Sequence, residues 1–145
     1  MEMNPVRCTL LEALLFTPSS SRGLFVEDAR KSRVLVVEDE ALISLMIEDI
    51  MVDCGAEMVG PATKLDDALD LAQHAQLDAA VLDINLRGAL TYPVADALRK
   101  RGIPFVFTSG YGADGLPPRF QDTPTLPKPL NVDEFQRTLR SLMTK

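Results

Sequence analysis

Short apolar runs alternate with stretches of helical periodicity along most of the chain, from about residue 33 onward. The first run, Val34 to Val37, is bounded by charged residues, which is typical of a strand buried on both faces of a sheet. The same reasoning predicts five strands, at residues 34–37, 58–59, 79–82, 105–107 and 123–126.

Helical patterns fill the gaps between the first three runs. Apolar residues recur at helical spacing over 41–53, and Gly55 is a natural stop. We expect Thr63 to cap the second helix, with Asp66 at its third position. The apolar positions of the first helix are Leu42, Ile43, Met46, Ile47, Ile50 and Met51.

The second half of the chain continues the alternation. Pro93 suits the first turn of a third helix that ends before Gly102, and Asn131 is expected to cap the last helix with Glu134 three residues later. Glycine and proline make 110–118 mostly loop. Strands alternating with helices in this way predict a parallel sheet covered by helices on both faces.

Residues 1–32 do not share this alternation. Pro18 and the serines 19–21 are typical of a linker, whereas the leucine-rich stretch 10–16 could form a short amphipathic helix. We therefore expect an N-terminal extension over 1–32, disordered or partly helical, followed by one domain over 33–145.

Charge and cysteine content narrow the function classes. The net charge is −6, and all of it lies in residues 33–145, so direct nucleic-acid binding is not expected. No apolar run approaches the roughly 18 residues of a membrane span, and no secretory signal is present, so we expect a cytoplasmic protein without membrane contact. Two distant cysteines, Cys8 and Cys54, indicate neither a disulfide framework nor a zinc site.

Polar side chains follow four of the predicted strands. Glu38 and Asp39 end the first strand, Asp83 the third and Ser109 the fourth, while Lys128 follows the fifth. Ligands of open α/β sheets bind beyond the carboxyl ends of the strands, where these residues would meet. Each of these residues alone has an ordinary interpretation, as a solvated acid, a turn hydroxyl or a surface lysine. Their combination at one edge of the sheet indicates a functional site.

Three clustered carboxylates would repel one another unless a divalent cation joins them. Mg²⁺ prefers oxygen ligands, which Glu38, Asp39 and Asp83 supply. Asp83 could then attack a phosphoryl group to form an aspartyl-phosphate, with Lys128 neutralising the oxygens and Ser109 donating a hydrogen bond to the product. The pattern therefore predicts Mg²⁺-dependent phosphoryl chemistry.

Three segments resemble those of response-regulator receiver domains, the CheY-like family: Val-Val-Glu-Asp-Glu at 36–40, Leu-Asp-Ile-Asn-Leu at 82–86 and Leu-Pro-Lys-Pro-Leu at 126–130. The resemblance covers about 33–143 and implies a flavodoxin-like (βα)₅ three-layer sandwich with strand order 2-1-3-4-5. It also implies that Asn85 lends its backbone carbonyl to the metal and that the Lys128-Pro129 bond is cis.

The usual receiver carries an aromatic residue three positions before the lysine, where this chain has Thr125. Residues 104–111, Pro-Phe-Val-Phe-Thr-Ser-Gly-Tyr, are similar to a divergent receiver subgroup with a Pro-Phe-x-Phe-Ala-Thr-Gly-Tyr segment. Its tyrosine, here Tyr111, would replace the missing aromatic residue; the alternative is an ordinary half-buried loop residue. We hypothesise that phosphorylation draws Ser109 toward Asp83 and reorders 110–119.

The resemblance implies a phosphorelay protein whose phosphorylation switches protein-protein contacts. Since the chain ends directly after the last predicted helix, we expect a single-domain regulator. Its partners would be a sensor histidine kinase or phosphotransfer protein and a downstream protein target, with a homodimer as a further possibility. We do not expect an enzyme beyond self-phosphorylation and slow self-dephosphorylation.

Two rival functions stay open. A pseudo-receiver would bind a partner constitutively and never be phosphorylated, although the retained Asp83 and Lys128 argue against it. A phosphatase working through an aspartyl-phosphate usually needs a second acid two residues after the nucleophile, where this chain has Asn85.

Overall fold

Five parallel strands form the main sheet of the computed structural model, which describes residues 30–112 and 115–144. The strands are β1 (Ser32–Val37), β2 (Ala56–Ala62), β3 (Ala79–Asp83), β4 (Phe105–Ser109) and β5 (Thr125–Pro127). Their order is β2-β1-β3-β4-β5, which confirms the predicted flavodoxin-like topology. The predicted N-terminal extension lies outside the described residues except for its last three positions.

Helices cover both faces of this sheet. They are α1 (Ala41–Asp53), α2 (Leu65–His74), α3 (Tyr92–Lys100) and α4 (Val132–Met143). Because side chains alternate along a strand, Leu35 packs in a core with α2 and α3, whereas its neighbour Val36 packs in a second core with α1 and α4. The described region is therefore a three-layer sandwich with the sheet buried at its centre.

The helix ends test the capping predictions. The Asn131 side chain accepts a hydrogen bond of 2.9 Å from the Glu134 backbone N–H, so the predicted cap of the last helix is confirmed. The predicted Thr63 cap is wrong, because α2 begins one residue later, with Lys64 at the cap position and no capping side chain. Asp66 and Asp67 in the first turn interact favourably with the helix dipole instead.

The buried face of α1 differs from the predicted apolar stripe. Ser44, Ile47 and Met51 turn inward, and this period places Leu42 on the outer face, where it is 82% exposed. The excess of apolar residues in α1 hides this asymmetry in the sequence.

Strand β2 is longer than predicted and includes Gly60 and Pro61, joined by a cis peptide bond. Proline is tolerated because β2 is an edge strand. Gly60 has φ +106°, and a Cβ there would lie 2.8 Å from the Ala62 nitrogen and 2.9 Å from the Val36 oxygen, so only glycine fits. Ala62 in turn accepts a hydrogen bond of 3.0 Å from the Glu38 backbone N–H, which links this strand to the end of β1.

A small hairpin that the sequence analysis missed follows β3. Asn85–Leu86 pairs antiparallel with Ala89–Leu90. Its two turn residues, Arg87 and Gly88, both have positive φ, +54° and +89°. Between β4 and β5, the regular element in the described part is a 3₁₀ turn at Pro118–Phe120, in keeping with the predicted loop. Within 30–112 and 115–144, no helix has the length and hydropathy required to cross a membrane.

Candidate functional site

The carboxyl ends of the central strands bring most of the predicted site residues together. Glu38 follows β1 directly, Asp83 ends β3, and Ser109 ends β4, and all three side chains are buried. Register explains the convergence, because Val37 pairs with Leu82 and Asp83 with Thr108 across neighbouring strands. The edge therefore presents two buried acids and a buried hydroxyl.

Lys128 reaches into this edge from the end of β5. Its Nζ lies 2.9 Å from Asp83 Oδ2, 3.1 Å from Glu38 Oε1 and 3.5 Å from Glu40 Oε1. Its backbone N–H donates a hydrogen bond of 2.9 Å to the Ser109 carbonyl, and the Lys128-Pro129 bond is cis, as the resemblance implied. The lysine is thus held by both its backbone and its ammonium group.

Three carboxylates form a compact acidic cluster. Glu38, Asp39 and Asp83 each offer one oxygen, and these oxygens all lie within 4.8 Å of one another. Glu38 Oε2 accepts a hydrogen bond of 3.1 Å from the Glu40 backbone N–H, whereas the buried Oε1 faces Lys128 Nζ as an ion pair without a hydrogen bond. A buried carboxylate oxygen with spare acceptor capacity in an all-oxygen cluster suits a hard divalent cation.

Burial and neighbouring charges shift the pKa of two groups in the cluster. Burial raises the pKa of the Glu38 carboxyl, and the charge of Asp83 adds to this, although Glu40 and Lys128 oppose it. Burial alone would lower the pKa of the Lys128 ammonium, but its hydrogen bond to Asp83 and its ion pair with Glu38 raise it above the usual value. Lys128 therefore stays charged at neutral pH. The three carboxylates of the cluster carry more negative charge than this one ammonium group neutralises, so a further cation would be bound favourably.

Asn85 lies beside the acidic cluster at the start of the hairpin. Its backbone N–H donates a hydrogen bond of 3.2 Å to Asp83 Oδ1, and its side-chain oxygen accepts one of 2.6 Å from the Gly88 N–H. The amide side chain is thus occupied within the hairpin, and the metal role of the Asn85 backbone carbonyl stays a prediction.

Ser109 and Tyr111 form the other side of the edge. The Ser109 hydroxyl accepts a hydrogen bond of 3.0 Å from the Tyr111 N–H, and a hydroxyl that accepts one bond keeps its proton for another partner. Tyr111 is 84% exposed, and the Thr125 hydroxyl donates a hydrogen bond to the nearby Thr123 carbonyl. In this conformation Tyr111 does not fill the aromatic position that Thr125 leaves vacant.

Two residues beside the acids were missed by the sequence analysis. The buried Thr91 hydroxyl donates a hydrogen bond of 2.7 Å to the Asp83 carbonyl. Arg87 Nε lies 3.4 Å from Asp39 Oδ2. The signal available for Arg87 was its place before Gly88, a pair that favours a tight turn; nothing in the sequence singles out Thr91.

Comparison with curated proteins finds regulatory proteins. The chain is 30% identical over 77 residues to the nitrate/nitrite response regulator protein NarP of Escherichia coli and 28% identical over 107 residues to the transcriptional regulatory protein PdtaR of Mycobacterium tuberculosis. It spans 36% and 52% of their lengths, respectively. No protein-family model matches the chain.

Solved structures extend the comparison. SdrG from Sphingomonas melonis Fr1 is 40% identical, with a TM-score of 0.69 over 79% of this chain and 98% of that one. The receiver domain of sensor histidine kinase PA1611 from Pseudomonas aeruginosa, solved with magnesium in its active site cleft, is 21% identical, with a TM-score of 0.65 over 80% of this chain and 100% of that one. The first similarity extends to sequence and fold, and the second to the fold alone.

Proposed function

This chain belongs to the receiver domains of two-component response regulators, and from that membership we propose that Asp83 accepts a phosphoryl group in a Mg²⁺-dependent reaction. The observation that carries the proposal is the contact of 2.9 Å between Lys128 Nζ and Asp83 Oδ2 inside the Glu38–Asp39–Asp83 cluster. The ammonium group fixed beside this buried acid can stabilise the negative charge that a phosphoryl group brings.

The acidic cluster supplies the metal ligands in this proposal. Glu38, Asp39 and Asp83 would hold Mg²⁺ with the backbone carbonyl of Asn85, and the magnesium-bound PA1611 receiver has the same fold. When bound, Mg²⁺ supplies positive charge for the phosphoryl oxygens. The raised pKa of Glu38 supports this assignment, because its ionised form gains from an added cation.

Asp83 is the nucleophile. One of its carboxylate oxygens forms a bond to phosphorus while the bond between phosphorus and the donor breaks, so the donor leaves with that electron pair and Asp83 becomes an acyl phosphate. Lys128 is already within 2.9 Å of the reacting carboxylate and would neutralise the phosphoryl oxygens. Ser109 would donate its hydroxyl proton in a hydrogen bond to the product.

The protein is then its own substrate. It undergoes self-phosphorylation and slow self-dephosphorylation and turns over no external phosphate ester. Asn85 supports this distinction from a phosphatase, because its side chain carries no acid and is bonded to the Gly88 N–H.

The proposal also defines the partners. A sensor histidine kinase or phosphotransfer protein would supply the phosphoryl group, and a downstream protein would bind the phosphorylated form, in the cytoplasm and without direct nucleic-acid contact. A homodimer is compatible with this scheme. We place the chain in the divergent subgroup named above, with Tyr111 acting as its switch aromatic after phosphorylation.

Intact-protein mass spectrometry after incubation with acetyl phosphate tests the proposal. Wild type should gain the mass of one phosphoryl group only with Mg²⁺, and Asp83→Asn should gain none. Asp70→Asn is the matched control, since it removes an exposed acid on α2 outside the cluster and should leave the gain intact.

The pseudo-receiver is the alternative function, and metal binding separates it from the proposal. A Mg²⁺ titration followed by backbone NMR should move the amide signals of residues 38–40 and 83–85 in wild type. A protein with neither a metal-dependent change nor a mass gain would be a constitutive binding module.

A further inference from the structure

Arg87 is the second cation at the acidic cluster. Its Nε lies 3.4 Å from Asp39 Oδ2, on a side chain that is 61% exposed, against 19% for that of Asp39. Lys128 contacts Glu38 and Asp83, so each of the three clustered acids has a basic partner. The function described above uses Lys128 but leaves Arg87 without a role.

The backbone of Arg87 is strained. A two-residue hairpin turn with positive φ at both positions favours Asn-Gly or Gly-Gly. Glycine has no Cβ atom to clash at positive φ, and asparagine tolerates this conformation better than most residues do. Arg87 has φ +54°, which costs about 1 kcal/mol for an ordinary residue. Such strain persists where the surroundings enforce it, and it concentrates at functional sites.

The surroundings do enforce it. The Gly88 N–H donates to the Asn85 side chain at 2.6 Å, and the Thr91 N–H donates to the Ile84 carbonyl at 2.9 Å, which closes the base of the hairpin. Asn85 is itself bonded to Asp83. The turn is therefore fixed relative to the acids, and it places the Arg87 side chain within reach of Asp39.

We propose that Arg87 competes with Mg²⁺ for Asp39 and thereby sets the metal affinity of the receiver. The inference rests on the proposed function. Mg²⁺ binding must break the pair between Arg87 and Asp39 and then tolerate a neighbouring positive charge. Both effects weaken metal binding, so phosphorylation would require a higher Mg²⁺ concentration than the acids alone demand.

Mg²⁺ titration by backbone NMR on the full chain tests this. Arg87→Asn should bind Mg²⁺ about two- to fivefold more tightly, as expected for loss of a partly exposed ion pair. Asparagine tolerates positive φ, so the hairpin should persist. Arg87→Lys keeps the charge and should stay near the wild-type Kd, and Arg137→Gln removes an exposed arginine from α4 and should leave the Kd unchanged.

The outcomes separate this inference from the proposed function. Absence of Mg²⁺ binding in wild type would overturn both. If wild type binds Mg²⁺ and Arg87→Asn binds it equally well or more weakly, the role of Arg87 alone is overturned. A gain in affinity of the same size in Arg137→Gln would also overturn it, because it would show only the effect of net charge. Unaltered hairpin amide signals in the metal-free variant would show that the gain comes from the side chain.

Discussion

The hydroxyl of Thr91 donates a hydrogen bond of 2.7 Å to the backbone carbonyl of Asp83. Thr91 is also the cap residue of α3, yet its hydroxyl caps no helix amide; its backbone carbonyl accepts from the Val94 and Ala95 N–H groups instead. One buried residue thus joins the end of β3 to the start of α3. The position of the candidate phosphoryl acceptor depends on this junction.

Thr91→Val should therefore destabilise the protein although the two side chains have nearly the same shape. The variant leaves the Asp83 carbonyl without this donor at a fully buried position, which should cost about 1–2 kcal/mol in the free energy of unfolding measured with urea. Thr91→Ser keeps the hydroxyl and should lose less. Equal stability of wild type and Thr91→Val would show that the hydrogen bond contributes nothing net.

Lys128→Met should destabilise the metal-free protein at neutral pH. The change leaves Glu38 and Asp83 without their shared cation in a buried cluster, and we expect a loss of about 2 kcal/mol because the lysine is not fully desolvated. Saturating Mg²⁺ should restore part of the loss. Thermal unfolding with and without Mg²⁺ measures both effects, and Lys100→Met, an exposed lysine at the end of α3, is the control.

Acid should also reduce the penalty of Lys128→Met. Burial raises the pKa of Glu38 in the folded state and Lys128 opposes this rise, so removal of Lys128 should raise the Glu38 pKa further. The folded variant then gains more than wild type from protonation of Glu38, and acidification from pH 7 should favour its folding more. The stability gap from wild type should shrink from pH 7 toward pH 5. A gap that widens on acidification would contradict this account of the cluster.

Gly60→Ala should be strongly destabilising. A methyl group at φ +106° would sit within 3 Å of two backbone atoms, and backbone cannot move aside as a flexible side chain can. We expect a loss of about 2 kcal/mol or more in urea unfolding. Gly110→Ala is the matched control, because a Cβ there meets nothing within 4 Å, and it should change stability little.

Local sequence patterns predicted the fold because each element carries its own physical signal. The Asn131 cap needed only a side-chain acceptor three residues before a helix amide, and the strand ends needed only an apolar run followed by a polar residue. The parallel alternation then placed Glu38, Asp83 and Ser109 at one edge without further information. Periodicity and topology were therefore sufficient to predict the layered fold and the convergence of these three residues.

What the sequence did not predict depends on tertiary contacts. Thr91 bonds a carbonyl eight residues earlier, and Arg87 reaches Asp39 across the site, so neither partner is visible in a local window. The exposure of Leu42 depends on which face of α1 meets β1 and α4, and a helix with apolar residues on more than one face does not specify that face. Packing between elements decided these points.

The segment after Ser109 is anchored toward its far end, where Leu116 and Phe120 are buried in the core. Phe120 is fully buried, stacked on Tyr92 at 5.5 Å and edge-on to Phe107 at 5.4 Å. Next to it, Arg119 donates two hydrogen bonds of 3.0 Å to the carboxylate of Asp96 on α3. The near end has a single described contact to the switch position, the 3.0 Å bond from the Tyr111 N–H to the Ser109 hydroxyl.

Addition of beryllofluoride and Mg²⁺, which mimic the phosphoryl group, should therefore change this segment unevenly. If Ser109 turns its hydroxyl toward Asp83, the Tyr111 amide loses its acceptor, and backbone NMR signals should shift most over 110–112. Signals of 118–120 should shift least, because Phe120 and Arg119 hold them against α3 and β4. Phe120→Leu weakens that anchor and should extend the shifts through 120, while Asp83→Asn should show none of them. Uniform shifts over 110–120 in wild type, or none, would contradict a hinge between the two ends.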